Sequence, residues 1–291
     1  MKILLIGKNG QVGKELEKAL VGPGDLIALD EHDLDLTNLD SIRTKIRQLR
    51  PDIIVNAAAH TAVDKAESEP DLAMTVNGTA PGILAEEAKR LNALLVHYST
   101  DYVFDGTKSS PYTEQDTPNP LNVYGHTKLA GEQAIAANAS RFLIFRTEWV
   151  YDNQGKNFLN TIKRVGAQRS ELTIVDDQFG AQTWSREIAQ GTAQAIALYL
   201  ADPNPKRING IYHLTAQGQT SWFGFAQAAA EYGLFACLAR PPALRAISSA
   251  EFPTPAKRPM YSVLSTAKLL KQFGIQLPDW KVSLRECLAN Q

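Results

Sequence analysis

Cysteine is scarce. Cys237 and Cys287 are the only two in 291 residues, far apart and without a partner motif, which argues against a disulfide framework and suits a reducing compartment. An excess of one charge sign is also missing: 30 Lys and Arg face 31 Asp and Glu, for a net charge of −1. With no basic tract, acidic tail or interleaved Arg/aromatic stripe, neither nucleic acid nor an anionic membrane is expected as a partner. Long apolar runs are absent too. The opening run Ile3-Leu4-Leu5-Ile6 stops at Gly7, too short for a signal-peptide core or a membrane span. A cytoplasmic protein is the expectation. No internal repeat or low-complexity segment is found.

What the chain does have is apolar content of 44%, enough for a substantial core in two domains or one large one. Short apolar runs without strict alternation occur at 2–6, 26–30, 52–58, 93–100 and 142–146, and they read as strands buried on both faces. Between them lie amphipathic stretches at 12–20, 38–49, 71–90 and 124–137, the rhythm of βαβ units. After Val150 the pattern changes to helices at 157–168 and 184–199, strands at 172–175 and 211–214, then a proline-rich tail with short helices at 266–273 and 282–288. The expected fold is α/β, a Rossmann-type doubly wound parallel sheet with a smaller C-terminal α+β lobe. Residues 1–150 plus 183–215 are assigned to a dinucleotide-binding domain, and 151–182 plus 216–291 to a second lobe.

The turn after the first strand reads Gly7-Lys8-Asn9-Gly10-Gln11-Val12-Gly13 and leads directly into a helix. Glycines spaced three apart let backbone approach a pyrophosphate, and the helix N-terminus offers free N–H groups. Asp30 ends the second strand seventeen positions after Gly13, close to the spacing at which an acidic residue meets an adenosine ribose. Asp30 favours NAD, whereas Lys8 could meet a 2′-phosphate or simply be solvated, so cofactor choice stays open. Asp35 and Leu36 could flank the adenine, and Asp35 could equally cap a helix. Small side chains at Ala57, Ala58 and Ala59 would let a dinucleotide cross the sheet edge or let helices pack closely.

Tyr124 and Lys128 stand one helical turn apart at the head of a predicted helix. On one face, the ammonium could favour the phenolate and lower the phenol's pKa toward working pH. The fourth strand ends at Ser99-Thr100-Asp101-Tyr102, where open α/β sheets present ligand-contacting groups. A hydroxyl at Ser99 or Thr100 could bond a substrate oxygen beside Tyr124, or cap the strand end.

These segments, with 56–67, Pro120 to Gly125, Phe145-Arg146-Thr147 and Asp177 to Gly180, resemble the extended short-chain dehydrogenase/reductases, and within them the dTDP-4-dehydrorhamnose reductase family. The resemblance spans essentially the whole chain. It implies NADPH or NADH as cofactor, a nucleotide-sugar as substrate, and reduction of the 4-keto group of dTDP-4-dehydro-6-deoxy-L-mannose to dTDP-L-rhamnose. It implies a catalytic set of Thr100, Tyr124 and Lys128, with Tyr124 donating a proton, Thr100 steadying the oxygen and Lys128 holding the nicotinamide ribose. Val63, Tyr102 and Trp149 would pack on the deoxysugar or serve as core. Arg258 would meet the diphosphate or be a surface cation.

Departures from the family pattern carry expectations of their own. Glu148, where the family commonly carries a small residue, would bring a carboxylate into or onto the rim of the pocket. Gln182, in place of a usual proline, would loosen its loop. Glu15 and Glu187 match carboxylates that hold a divalent metal between subunits in some relatives, but the third position is Asn290. No metal is therefore expected, while a homodimer stays open. Two competing readings are a nucleotide-sugar dehydratase or epimerase and a non-catalytic dinucleotide-binding subunit. Tyr102 in the place of a dehydratase's glutamate disfavours dehydration, and the presence of Tyr124 and Lys128 disfavours the non-catalytic subunit.

Overall fold

A computed structural model describes residues 1–22 and 24–289. Its centre is a six-stranded sheet, all parallel, in the order Gly210–His213, Phe142–Thr147, Leu94–Thr100, Ile53–Asn56, Lys2–Ile6, Asp25–Leu29. The apolar runs form strands because both faces are covered. Ile3, Leu5, Ile53, Val55, Leu94, Val96, Leu143 and Phe145 point to one side, against helices Gln11–Ala19 and Ser185–Ala201. Their alternate neighbours Leu4, Ile6, Ile54, Leu95 and Ile144 point to the other, against helices Leu39–Leu49 and Ala80–Leu91. Each such side chain, fully removed from water, contributes roughly 1.5–3 kcal/mol before conformational entropy is counted.

The chain runs from the first strand outward to the second, then returns past the first to the third, so the strand order reverses between Lys2–Ile6 and Ile53–Asn56. Ligands of open α/β sheets sit outside the carboxyl ends at such a reversal. Gly7 and Ala57 begin the two loops that flank it.

The helix expected at 71–90 is continuous but not uniform: α-helix Pro70–Met74, a π-turn Thr75–Thr79, then α-helix Ala80–Leu91. Pro81 has no N–H to return to the preceding turn. Buried within the π-turn, Asn77 turns its amide outward from the helix to His60 and to the hydroxyl of Thr127.

The smaller lobe has its own aromatic-rich core around Tyr151, Trp184, Phe225, Phe235 and Trp280. Two elements there carry no sequence expectation: helix Trp222–Glu231 and strand Ala243–Ile247, which pairs in parallel with Glu171–Val175. Strand Ala243–Ile247 is short and largely solvated without regular alternation, and prolines crowd the surrounding tail. No helix among the described residues is long and apolar enough to cross a membrane.

Candidate active site

A cleft of about 1320 Å³ opens along the carboxyl ends of the strands. Into it the structure brings Gly7, Gly10, Gln11, Val12, Asp30, Asp35, Leu36, Ala57, Ala58, Ala59, Val63, Thr100, Tyr102, Tyr124, Lys128 and Trp149, from segments spread over 143 positions of chain. Gly13 does not line it. A side chain at Gly13 would place Cβ 2.0 Å from the Gly7 carbonyl oxygen, so this residue permits the helix to close on its own loop. Gly7 turns at φ 90°, with Ala58 N 2.7 Å from where a Cβ would stand. Gly10 meets only the Gly7 carbonyl at 3.4 Å on its Cβ side and caps helix Gln11–Ala19. That helix has no side-chain cap and no acidic residue in its first turn. Its free N–H groups and partial positive charge face the cleft, which fits a pyrophosphate.

Asp30 stands where an adenosine ribose would lie. Its Oδ1 accepts from the N–H groups of His32 (2.9 Å) and Asp33 (3.2 Å), and Asn9 Nδ2 donates to its Oδ2 at 3.1 Å. Lys8 does not reach freely into the cleft: its ammonium lies 3.0 Å from Asp33 and 3.5 Å from Asp30. Asp35 is occupied by the N–H and hydroxyl of Thr37, each at 2.8 Å, while Leu36 is buried in the core beneath. Gln11 ties the loop to the far lobe, its Oε1 accepting from Asn157 Nδ2 at 2.8 Å.

At the other end, Asn122 accepts from the Gly125 N–H at 2.8 Å and starts helix Val123–Asn138, which places Tyr124 in its first turn and Lys128 one turn on. Tyr124 stands beside Thr100, at the end of the fourth strand, on the cleft wall, and its ring meets Tyr102 edge to face at 5.9 Å. Lys128 is buried and donates to the Tyr98 carbonyl at 2.5 Å, with His97 Nε2 at 3.3 Å. Burial lowers its pKa to about 8, against the pull of Glu132. Here the structure corrects the sequence expectation of a depressed phenol. Burial pushes Tyr124 up to about 12, the Thr100 hydroxyl opposing, and Lys128 spends its donors elsewhere. A phenol held protonated through neutral pH is a proton donor rather than a phenolate.

Several residues lie where the sequence did not put them. Glu148 neither enters nor rims the cleft: it is 1% exposed, and its carboxyl accepts from Ala181 N (2.9 Å) and Leu264 N (3.3 Å). Gln182 is fully buried between short paired strands, Phe179–Gly180 with Thr220–Ser221 and Thr183–Trp184 with Val150–Tyr151, and this pairing rather than a proline holds its loop. Arg258 clamps Asp64 through two bonds of 3.0 and 2.8 Å, so it joins the tail to the helix at Val63–Ala66. Glu15 pairs with Lys18, and Glu187 accepts from the Ser283 hydroxyl at 2.8 Å; Asn290 lies outside the described residues.

Trp222 was missed by the sequence reading. Its ring stacks on Trp149 at 3.8 Å and 10°, and both line the cleft. The signal was present in Thr220-Ser221-Trp222, a Ser N-cap whose hydroxyl accepts from Gly224 N at 2.9 Å at the head of an apolar helix.

A reversing parallel sheet, a glycine loop under one end of its cleft and a Thr, Tyr, Lys cluster under the other define a nicotinamide-dependent oxidoreductase of the extended short-chain dehydrogenase/reductase class. Residues 1–291 match the family described as RmlD substrate binding domain. The chain is 47% identical to the dTDP-4-dehydrorhamnose reductase of Burkholderia thailandensis, over 100% of this chain and 99% of that one. It superimposes on a dTDP-4-dehydrorhamnose reductase structure from Clostridium acetobutylicum with a TM-score of 0.91 at 38% identity, covering 100% and 99% of the two chains. A Bacillus anthracis dTDP-4-dehydrorhamnose reductase, crystallised with NADP, matches at 0.90 and 33% with the same coverage. The chain belongs to the dTDP-4-dehydrorhamnose reductase family.

Proposed function

We propose that the protein reduces the 4-keto group of dTDP-4-dehydro-6-deoxy-L-mannose to give dTDP-L-rhamnose, with NADPH or NADH as reductant. The observation that carries this reading is the meeting of Thr100, Tyr124 and Lys128 at the cleft end opposite the glycine loop, in a chain alike over its full length to reductases of that substrate. The bound nicotinamide supplies hydride. Tyr124 gives its proton to the oxygen of the reduced carbonyl, which is more basic than a phenolate, so the transfer runs downhill even from a phenol of raised pKa. Thr100 stands beside that phenol at the same end of the cleft and steadies the same oxygen. Lys128 sets a positive charge beneath the site, where little water competes with it.

The division of labour follows the sheet. Residues 1–150 plus 183–215 hold the dinucleotide, a reading supported by strand Gly210–His213 in the main sheet and helix Ser185–Ala201 against its face. Residues 151–182 plus 216–291 close over the nucleotide-sugar, with Val63, Tyr102 and the Trp149–Trp222 stack walling the sugar end. The setting is a soluble enzyme in the cytoplasm. The test mixes purified protein with reduced nicotinamide and dTDP-4-dehydrorhamnose and follows loss of the reduced cofactor's absorbance. Cofactor binding without oxidation defeats the assignment, and parallel assays with NADH and NADPH give the preference.

A further inference from the structure

Thr100 has one hydrogen to donate and three neighbours that compete for its oxygen. The Tyr102 N–H donates to Thr100 Oγ1 at 3.1 Å, Asp101 Oδ1 lies 2.9 Å away, and Tyr124 stands beside it on the cleft side. If Asp101 is a carboxylate, it must accept, and Thr100's only hydrogen is spent on it. Thr100 is then left with no hydrogen for the reacting oxygen. If Asp101 is a neutral acid, it donates to Thr100, and the threonine hydrogen is free to turn to the reacting oxygen.

The surroundings of Asp101 select the second arrangement. It is 2% exposed, its Oδ2 has no hydrogen-bond partner, and no ion pair among the described residues includes it. The groups facing it are Tyr102 on its own turn, Tyr124 on helix Val123–Asn138, Glu148 after the fifth strand and Ser262 in the tail. None is a cation. The two nearby cations are committed elsewhere, Lys128 to the Tyr98 carbonyl and Arg258 to Asp64. Glu148 is a second buried carboxyl in the same space, and two such groups do not ionise together. With Oδ2 unpartnered, a proton on Oδ1 has Thr100 as its acceptor.

We propose that Asp101 works as a neutral carboxylic acid, a positioning residue that donates to Thr100 and thereby turns the threonine hydroxyl toward the reacting carbonyl oxygen. The inference rests on the reductase reading above. Burial raises the Asp101 pKa to about 7, the Thr100 hydroxyl opposing. The working form is therefore present below that pH and lost as pH rises through it. Burial, and then the Asp101 charge, raise the Glu148 carboxyl well above its ordinary value.

The experiment has two arms. In the first, kcat is measured from pH 5.5 to 9 with saturating cofactor. The wild-type value falls on the alkaline side with a midpoint near 7. In Asp101→Asn, whose amide donates but cannot ionise, the midpoint moves up by about one pH unit, to where Lys128 titrates. Glu148→Gln keeps the wild-type midpoint, which places the titration on Asp101. In the second arm, isotope-edited infrared spectra of aspartate-labelled wild-type protein, without substrate, follow the Asp101 carboxyl. A protonated band at pH 6 that disappears near pH 7 and is missing from Asp101→Asn supports the proposal. It is overturned if that carboxyl is ionised at pH 6, if wild-type kcat rises from pH 6 to 8, or if Glu148→Gln removes the limb while Asp101→Asn keeps it. Wild-type protein that turns over no substrate at any pH defeats the reductase reading instead. The wild-type profile and spectra decide even if a variant does not fold.

Discussion

Tyr124 shows how far a spacing reaches. Two residues four apart on a helix can be read directly from the chain, and the structure does set Tyr124 and Lys128 on one face at one end of the cleft. The sign of the phenol's pKa shift could not be read, because it depends on burial by segments remote in sequence and on where Lys128 finds an acceptor. The Tyr98 carbonyl that takes the ammonium is 30 positions away. Tyr124→Phe is expected to lower kcat by about 10²–10⁴ while leaving cofactor affinity close to wild type, as judged by titration of reduced-nicotinamide fluorescence. Equal losses of binding and turnover would show that the phenol holds cofactor rather than donating a proton. Glu148 makes the opposite point. Its charge is plain in the sequence, but only the two N–H groups at Ala181 and Leu264 decide that it turns from the cavity.

At the scale of elements, the five N-terminal strands and the glycine loop were legible because each carries a local signal: an unbroken apolar run, or glycine where a side chain has no room. The three glycines nevertheless do different work. Gly13→Ala drives Cβ into the Gly7 carbonyl at 2.0 Å, and it should lower the melting temperature as well as cofactor affinity. Gly10→Ala meets ordinary contact at 3.4 Å, so the fold should melt near the wild-type temperature while the methyl stands in the path of the pyrophosphate and raises the cofactor Kd tenfold or more. Thermal melts with and without cofactor separate the two. Helix Trp222–Glu231 and strand Ala243–Ile247 were less legible, since one is nearly apolar throughout and the other pairs on an exposed edge.

Across the whole molecule, Glu187 links the lobes. It sits in the first turn of helix Ser185–Ala201 on the main sheet and accepts from Ser283 in the C-terminal helix Trp280–Ala289. Burial pushes its carboxyl up to about 7, the Ser283 bond opposing. The unfolded chain ionises this group near its ordinary value, so its contribution to stability is present below that value and is lost as pH rises to about 7. The loss is on the order of 3 kcal/mol. Glu187→Gln should therefore melt roughly 4 °C or more above wild type at pH 8, with the gap closing at pH 4.5. A constant gap at both values would mean that the glutamate does not titrate with folding. The sequence alone determined the alternation of buried strands and helices, the glycine turn and the order of the Thr, Tyr and Lys segments, because periodicity, steric room and spacing are local properties. Only the tertiary structure decided which carboxyls lose water, which way Glu148 points, that Trp222 stacks on Trp149, and that Asp101 shares its buried space with a second acid. Desolvation and hydrogen-bond direction belong to neighbours the chain does not place side by side until it folds.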